Sequence, residues 1–417
     1  MKVILMSIGT RGDMEPFLAI GEILRDQGCN VICAFPEQFR KLAEEAKVEF
    51  ASLGSEFIEL LESDDGKAAL GGSGSGIRKM VAYIRLALRQ TEANHELVEK
   101  QYEVVKRENP DRIVYNGKAI YPILWGIKSR GKSILISPVP YMHYVKDHTH
   151  VAFNSNYGPF LNKLTYSLAS FGLISTARIS ARWLRMGKDI SRKQIKNALQ
   201  TNKVIYTISP SLFPRPEYWD ENLQVLGYHE KKKNISWEPG KELTEFIQKH
   251  DKILFITFGS MTNPRPEKKT GILVEILERN KIPAIINTAA GGLVRPEKYD
   301  AGLIHFVPEI PYNWVFPRVY GVIHHGGSGT THMALKYGCA CMIIPHIIDQ
   351  FVWNRLLYEK SLGPKGIRIN NITVKNLEPG ILDLVNNTSY KKKAELIAGE
   401  MAKESYKEEI YRSITEY

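Results

Sequence analysis

Short apolar runs alternate with amphipathic helical patterns along most of the chain. The run KVILMSI is followed by the helical pattern EPFLAIGEILRDQG, which ends at Gly28, and then by the run NVICAFP. Strand, helix and strand at this spacing form a βαβ unit, which predicts a parallel sheet with its ligands at the carboxyl edge. The further strands predicted in this half are DRIVYN, KSILISPVP and KVIYTISP.

The same alternation restarts in the second half of the chain. The strands predicted there are KILFITFGSM, IPAIINTA, LIHFVPEI, YGVIHHGG and CACMIIPH. Between the halves lies a polar, lysine-rich stretch with a Pro-Gly pair, GYHEKKKNISWEPGKE, which is typical of a linker. We therefore predict α/β domains over residues 1–228 and 243–390, a linker over 229–242, and a charged helical tail over 391–417 that packs back on the first domain.

Composition and charge narrow the classes of partner. With Lys+Arg 56 against Asp+Glu 45 the net charge is +11, which favours phosphates, anionic membrane surfaces or nucleic acid. A nucleic-acid binder is disfavoured because the sequence contains no helix-turn-helix, RNP-type or zinc module. The opening apolar run is shorter than that of a signal peptide, and no run reaches the roughly 18 residues of a membrane span. We expect a cytoplasmic protein whose membrane contact, if any, is peripheral, on the inner membrane surface.

Cysteines and histidines give little sign of a metal centre. Cys29, Cys33, Cys339 and Cys341 each lie in an apolar segment without zinc-like pairing, which predicts buried free thiols in a reducing compartment. His148 and His150 lack nearby ligand partners, so we expect them in a polar loop.

The stretch VIHHGGSGTTHMALKYG, residues 322–338, carries the clearest chemistry. A strand, a glycine turn and a helix start in this order bring unpaired amide donors and the positive end of the helix dipole to one point. This predicts a diphosphate site, with His325 as a further donor. The alternative is a turn that serves only strand–helix packing. The spacing fits neither a Walker loop nor G-x-G-x-x-G.

Two other strand ends of the second half point to the same cleft. In ITFGSM, Gly259 and Ser260 would bring a backbone N–H and a hydroxyl to it. After the strand CACMIIPH, Asp349 and Gln350 could bind sugar hydroxyls. Asp349 could instead cap the helix that follows.

These motifs resemble a known family. FGSM, VPEIPYNWVFPRVYGVIHHGGSGTT and IIPHIIDQF strongly resemble the C-terminal domain of family 1 glycosyltransferases of the GT-B fold, in the branch of sterol glucosyltransferases and glycopeptide-antibiotic glycosyltransferases. SIGTRGDMEPFLAIGEILRDQG resembles the opening motif of that branch. The resemblance implies two Rossmann-like domains facing across a cleft, with a nucleotide sugar on the second and a lipophilic acceptor, such as a sterol, terpenoid, lipid or antibiotic aglycone, on the first.

The resemblance also implies roles for individual residues of the second domain. Asp349 and Gln350 would hold the sugar, and the backbone near Val307 would read the pyrimidine edge. The residues implied for the diphosphate are Ser260, His325, Gly327, Ser328, Gly329 and Thr330.

This sequence departs from the plant members at two positions of the nucleotide site. Val307 stands where they carry a tryptophan, and Trp314 belongs to the branch's own motif, so base stacking and core packing both stay open for it. Met333 stands where plant members carry a ribose-binding glutamate, which leaves UDP-sugar and dTDP-sugar donors unresolved.

For the catalytic base, the resemblance implies Asp13, because the loop GTRGDMEP contains no histidine. A carboxylate is a weak base, but it suffices when the acceptor hydroxyl becomes acidic late in the reaction. The alternative is a helix N-cap without catalysis. Thr10 and Arg11 are expected to reach the donor phosphates. Since helix amides and His325 can receive the leaving group, we expect direct displacement with inversion and no metal or other cofactor. A non-catalytic nucleotide-sugar binder is the alternative function, and the presence of Asp13 argues against it.

Two segments of the first domain bear on acceptor or membrane binding. The cations Arg178, Arg182, Arg185, Lys188, Arg192 and Lys196 recur at helical spacing beside the apolar residues Ile179, Trp183, Met186 and Ile190. This pattern predicts one basic amphipathic helix, which either lies on an anionic membrane or covers the core with a solvated face. Residues 63–79 are rich in glycine and serine, which predicts a mobile loop that is either an acceptor lid or a surface connection.

Overall fold

A computed structural model describes residues 1–56, 59, 76–153, 155–231 and 237–416, with 76–90 described by their backbone alone. Among these residues, seven parallel strands form the first sheet, in the order β3-β2-β1-β4-β5-β6-β7. The strands are β1 Lys2–Met6, β2 Asn30–Phe35, β3 Glu49–Ser52, β4 Arg112–Asn116, β5 Ser133–Ser137, β6 Val204–Tyr206 and β7 Leu223–Val225. The helices of this part are α1 Arg11–Asp26, α2 Arg40–Glu45, α3 Gly76–Glu108, α4 Tyr121–Lys128, α5 Pro159–Trp183 and α6 Arg192–Thr201, with a 3-10 turn at Glu37–Phe39.

The second sheet has the order β10-β9-β8-β11-β12. Its strands are β8 Leu254–Thr257, β9 Ala284–Asn287, β10 Ile304–Val307, β11 Gly321–His324 and β12 Ala340–Ile343. The helices are α7 Lys241–Lys249, α8 Pro266–Arg279, α9 Tyr312–Val315, α10 Ser328–Lys336, α11 Ile348–Glu359, α12 Val374–Asn386, α13 Thr388–Met401 and α14 Lys407–Thr415, with 3-10 turns at Phe316–Arg318 and Ile369–Asn371.

The strands of both sheets form from apolar runs, because each sheet is covered by helices on both of its faces. Strands β4 and β11 are buried along their whole length, as expected for parallel strands covered by helices on both sides. The strand order reverses beside β1 in the first sheet and beside β8 in the second. Ligand crevices of open α/β sheets lie at such reversals, outside the carboxyl ends of the strands.

Apolar packing joins the two halves and the C-terminal helix. One core cluster contains Tyr206 of the first sheet together with Phe255 of the second. Ile410 and Ile414 of α14 are buried in the same cluster as Phe17 of α1, so α14 packs on the first sheet. The domain boundaries proposed from the sequence stay a prediction.

Two predictions about helices are wrong. The first helix starts at Arg11, not near Pro16, because Thr10 and Asp13 form a capping box that sets an earlier start. The basic stripe of residues 178–196 does not form one helix. α5 ends at Trp183, Arg185 has φ 56°, and α6 begins only at Arg192. The predicted apolar stripe is divided as well, since Ile179 is exposed whereas Ile190 is buried.

His148 and His150 lie in a loop, as predicted, and each packs against an aromatic ring. The ring of His148 stacks on Tyr141 at 4.3 Å between centroids, and His150 meets Tyr166 edge-on at 5.6 Å. Burial lowers the pKa of both imidazoles, that of His150 to about 4. Both histidines are therefore neutral packing groups.

Three further expectations can be compared with the described residues. All four cysteines are buried and free, as predicted. The glycine-rich loop predicted over 63–79 lies outside the described residues up to position 75, and 76–79 belong to α3. Across the described part of the chain, none of the helices is long and apolar enough to cross a bilayer.

Candidate functional site

The glycine turn between β11 and α10 is shaped by close contacts that only glycine allows. Gly326 has φ 95°, and a Cβ there would lie 2.6 Å from Ile343 Cγ2. At Gly327 a Cβ would lie 2.5 Å from His325 Nε2, and at Gly259 it would lie 3.0 Å from His325 Cε1. The loop after β8 and the turn after β11 therefore enclose the His325 imidazole from two sides.

His325 belongs to a group of three buried histidines that all stay neutral. Burial lowers the pKa of His325 well below its usual value, and the neighbouring His324 and His346 lower it further. Burial likewise lowers the pKa of His324 to about 3 and that of His346 to about 4. Within the described part of the chain, Nδ1 of His325 is buried without a hydrogen-bond partner, so one ring nitrogen remains for a ligand.

The start of α10 offers unpaired backbone donors beside this imidazole. Gly327 is the N-cap, and among the described residues no side chain caps the helix. The first intrahelical bond runs from the Thr331 N–H to the Gly327 carbonyl, at 3.0 Å. The amides of Ser328, Gly329 and Thr330 therefore stand at the positive end of the dipole, which is the arrangement that binds phosphate.

The side chains around the start of α10 differ in whether they already form hydrogen bonds within the protein. The phenol of Tyr312 is hydrogen-bonded to Thr257 and Thr330. Ser260, after β8, is exposed and accessible to a ligand. The Ser328 hydroxyl lies 3.4 Å from His332 Nδ1 on the same helix.

The residues considered for the nucleotide base are packed into the protein. The carbonyl of Val307 accepts the Thr288 N–H at 2.9 Å, and its side chain is buried in the core. The Trp314 ring packs edge-on against Trp237 at 4.9 Å, and the Arg318 guanidinium lies 4.5 Å from its centroid. Trp314 thus packs against the core as a half-buried residue, and stacking on a base stays an untested alternative for it.

Asp349 and Gln350 open α11 in different roles. Oε1 of Gln350 accepts the N–H groups of His346 at 2.7 Å and Ile347 at 3.2 Å, so Gln350 caps the helix. The N-cap itself is Ile347, which means that the capping role considered for Asp349 is filled by Gln350. Burial raises the pKa of Asp349 to about 6.

Asp13 lies on the opposite side, at the carboxyl end of β1. It is the third residue of α1, and its Oδ2 accepts the Thr10 N–H at 2.7 Å. Its Oδ1 accepts from Lys118 Nζ at 2.8 Å. Asp13 therefore has a capping role, and about a quarter of its side chain, 23%, remains exposed.

Lys118 is the residue that sequence reasoning missed. It follows β4, which neighbours β1 in the sheet, and its own N–H donates to Asn116 Oδ1 at 3.2 Å. Asn116 in turn donates to the Ile8 carbonyl at 2.7 Å, which ties the ends of β1 and β4 together. The only available signal was that a buried strand ends in a polar residue, Asn116, with Lys118 two positions later.

Electrostatics link the two sides of the cleft. The charge of Asp13 raises the pKa of Asp349 and that of Lys118 lowers it. Burial raises the pKa of Tyr312 on α9, and the charge of Arg11 at the start of α1 opposes that rise. The start of α1 therefore lies within electrostatic range of Asp349 on α11 and of Tyr312 on α9.

Two family models match parts of this chain. Residues 3–109 match the glycosyltransferase family 28 N-terminal domain, and residues 301–417 match the erythromycin biosynthesis protein CIII-like C-terminal domain. The chain is also 28% identical over 433 residues to a sterol 3-beta-glucosyltransferase of Arabidopsis thaliana, UGT80A2, covering 97% of this chain and 63% of that protein. The chain thus spans less than two thirds of the length of this relative.

Superposition on solved structures identifies the fold. The glycotransferase of kitacinnamycin superposes with a TM-score of 0.69 at 15% identity, covering 99% of both chains. The Streptomyces sp. SF2575 glycosyltransferase SsfS6, in complex with thymidine diphosphate, superposes with a TM-score of 0.62 at 16% identity over 100% of both chains. The chain has the GT-B fold. The predicted fold class and the resemblance to the sterol and antibiotic branch are therefore confirmed.

Proposed function

We propose that this GT-B protein is an inverting glycosyltransferase that moves a hexose from a nucleotide sugar to a hydroxyl group of a lipophilic acceptor. The observation that carries the proposal is the electrostatic coupling of Asp13 to Asp349, whose neighbour Gln350 packs against Gly326 of the glycine turn. Support for the acceptor class comes from the similarity to sterol 3-beta-glucosyltransferases. A sterol is the first acceptor to test, followed by terpenoids, other lipids and antibiotic aglycones.

The donor half would hold the diphosphate without help from a metal. The amides of Ser328, Gly329 and Thr330 donate to it, and His325 adds one neutral N–H. The exposed Ser260 hydroxyl and the Arg11 guanidinium complete the set of donors. A UDP-sugar is the first candidate and a dTDP-sugar the second, the latter supported by the thymidine diphosphate bound to the related structure.

The chemical step then uses few groups. The acceptor hydroxyl gives its proton to the Asp13 carboxylate while its oxygen forms a bond to the anomeric carbon. The bond between that carbon and the diphosphate oxygen breaks, and the electron pair leaves with the nucleoside diphosphate. Attack from the side opposite the leaving group inverts the anomeric configuration. Asp349 would accept hydrogen bonds from the sugar hydroxyls.

Asp13→Asn tests the proposal directly. Its amide oxygen can still accept the Thr10 N–H, so we expect the capping box and the fold to survive, whereas the proton acceptor is lost. Turnover should fall by about 10²–10⁴-fold while the affinity for UDP or dTDP stays unchanged. Product formation from a donor and acceptor panel is followed by mass spectrometry, and nucleotide affinity by calorimetry.

A non-catalytic nucleotide-sugar binder would respond differently. It would bind UDP or dTDP with wild-type affinity but form no glycoside with any acceptor of the panel, and Asp13→Asn would change nothing measurable. Turnover by Asp13→Asn at the wild-type rate, with unchanged nucleotide binding, would remove Asp13 from the mechanism.

A further inference from the structure

Helix α5 presents large apolar side chains to solvent. Phe160 is 82% exposed and Phe171 is 61% exposed, values far from those of a core residue. We use the name α5 apolar face for the exposed residues Phe160, Leu161, Leu164, Leu168, Phe171 and Ile179. At about 100° per residue these positions occupy one side of the helix, so they form a continuous surface.

The opposite side of α5 anchors the helix to the protein. Its buried residues are small or polar: Asn162, Thr165, Ala177, Ser180 and Ala181. The helix packs through this side against α3, α4 and α6. The large apolar groups therefore point outward from a fixed helix, which is the signature of an interaction surface.

The charge around the α5 apolar face is predominantly positive. Residues 155–200 contain eight cations and one acid, Asp189. The exposed cations are Lys163, Arg182, Arg185, Lys188, Arg192, Lys193 and Lys196. The Arg192 guanidinium lies 5.9 Å from the centroid of the Phe171 ring, so cations and apolar groups share one edge.

We propose that the α5 apolar face docks this protein on an anionic lipid bilayer. Phe160 and Phe171 enter the boundary between headgroups and acyl chains, and the surrounding cations contact the lipid phosphates. A second copy of the chain is a poorer occupant, because face-to-face association would bring two sets of these cations together. The inference goes beyond glycosyl transfer and does not depend on the donor site.

This assignment replaces the continuous basic helix expected from the sequence. The cations from Arg185 to Lys196 lie in the turn after α5 and on α6, where they border the apolar face and do not form a stripe on one helix. Contact with the membrane is therefore assigned to the apolar side chains of α5, which precede the cations from Arg185 to Lys196 in the chain.

Vesicle co-sedimentation of the full chain tests the apolar part of the proposal. We expect sedimentation with vesicles of phosphatidylcholine and phosphatidylglycerol, and little with phosphatidylcholine alone. Phe160→Ser combined with Phe171→Ser should weaken binding at least about tenfold. The matched control is Leu396→Ser, since Leu396 is 71% exposed on α13, away from this surface, and it should bind as the wild type does.

A second pair of variants tests the charge. Arg182→Gln with Arg192→Gln should weaken binding to anionic vesicles, and Lys392→Gln with Lys393→Gln, exposed on α13, should not. Circular dichroism verifies that each variant is folded. Equal binding to neutral vesicles, or none to either kind, would overturn the proposal. A wild-type dimer that Phe160→Ser with Phe171→Ser converts to a monomer, without any lipid binding, would assign the face to a second copy.

Discussion

The ammonium of Lys118 and the carboxylate of Asp13 form an ion pair of 2.8 Å that joins the ends of two neighbouring strands. Each partner follows a different strand, β4 and β1, which the sheet order brings side by side. The other oxygen of Asp13 is held by the Thr10 N–H. Oδ2 also accepts the Thr10 hydroxyl at 3.2 Å, so both oxygens are fixed from within the first domain. Oδ1 accepts only from Lys118 among the described residues and keeps a second lone pair that can accept from an acceptor hydroxyl.

Lys118→Met should lower turnover by up to about 10²-fold, with little change in the affinity for the nucleotide. The reason is geometric, because Oδ1 of Asp13 loses the contact that fixes its position, and a base displaced by about 1 Å is far less efficient. Steady-state kinetics with saturating donor measure kcat, and calorimetry measures nucleotide binding.

Lys128→Met is the matched control for this variant. Lys128 is an exposed lysine at the end of α4, in the same half of the chain. Its replacement should leave kcat unchanged. In the background of Asp13→Asn, Lys118→Met should cause no further loss. An additional loss of similar size there would mean that Lys118 acts independently of Asp13.

Gly9→Ala should reduce turnover by displacing Asp13. Gly9 has φ 132°, and a Cβ there would lie 2.2 Å from Asp13 Oδ2 and 2.5 Å from Lys118 Nζ. The side chains must move apart to admit the methyl group. We expect a loss of kcat comparable to that of Lys118→Met, accompanied by a lower free energy of unfolding, since the positive φ strains any residue other than glycine.

Gly28→Ala separates these two effects. Gly28 also has a positive φ, 83°, but a Cβ there would meet no described atom within 4 Å. This variant should lose stability in chemical denaturation and keep its kcat. If Gly9→Ala and Gly28→Ala both retained wild-type kcat, the fixed position of Asp13 would not matter for turnover.

Patterns that are local in sequence gave most of the fold correctly. The strands β1, β2, β4, β8 and β11 coincide with apolar runs, because parallel strands buried on both faces must be apolar throughout. The glycine turn before α10 was recognisable for a similar reason, since its chemistry lies in consecutive residues. The alternation of strands and helices was therefore sufficient for the fold class but not for the strand order.

What sequence reasoning missed depends on contacts between distant positions. The pairing of Lys118 with Asp13 requires the order β1-β4, which no local pattern reveals. The break at Arg185 arises because Arg178 turns its guanidinium to the carbonyls of Gly187 and Ile190, which stabilises a bend where charge spacing suggested a helix. The early start of α1 had a local signal, the capping pair Thr10 and Asp13.

Arg112→Met should lower the free energy of unfolding by roughly 2–3 kcal/mol, because its guanidinium bonds are charge-assisted. The guanidinium is buried at the end of α14, where it donates to the carbonyls of Ile414 and Thr415, both at 3.1 Å. Without it these carbonyls lose the cation that compensates the negative end of the helix dipole. Urea denaturation gives the change, and Arg412→Met, an exposed arginine of the same helix, should have little effect.

Asp349 should make the protein less stable as pH rises from about 4 to about 6. Its pKa in the folded protein is raised to about 6, above the ordinary value of 3.8. Below both values the carboxyl is protonated in either state and contributes no difference. As the pH rises between them, the unfolded chain loses its proton first, so unfolding becomes more favourable by roughly 1–3 kcal/mol and then levels off.

The comparison of wild type with Asp349→Asn isolates this effect. Buried neutral histidines such as His324 act in the opposite direction at low pH, but they are present in both proteins, so their contribution cancels in the difference. Urea denaturation at a series of pH values should show that the free energy of unfolding of Asp349→Asn increases relative to that of the wild type as pH rises. This gain in relative stability should be complete above about pH 6. Because Lys118 lowers the pKa of Asp349 and Asp13 raises it, Lys118→Met should extend the gain to higher pH and Asp13→Asn should end it at lower pH. A gain that is independent of both substitutions would mean that Asp13 and Asp349 do not face each other across the cleft.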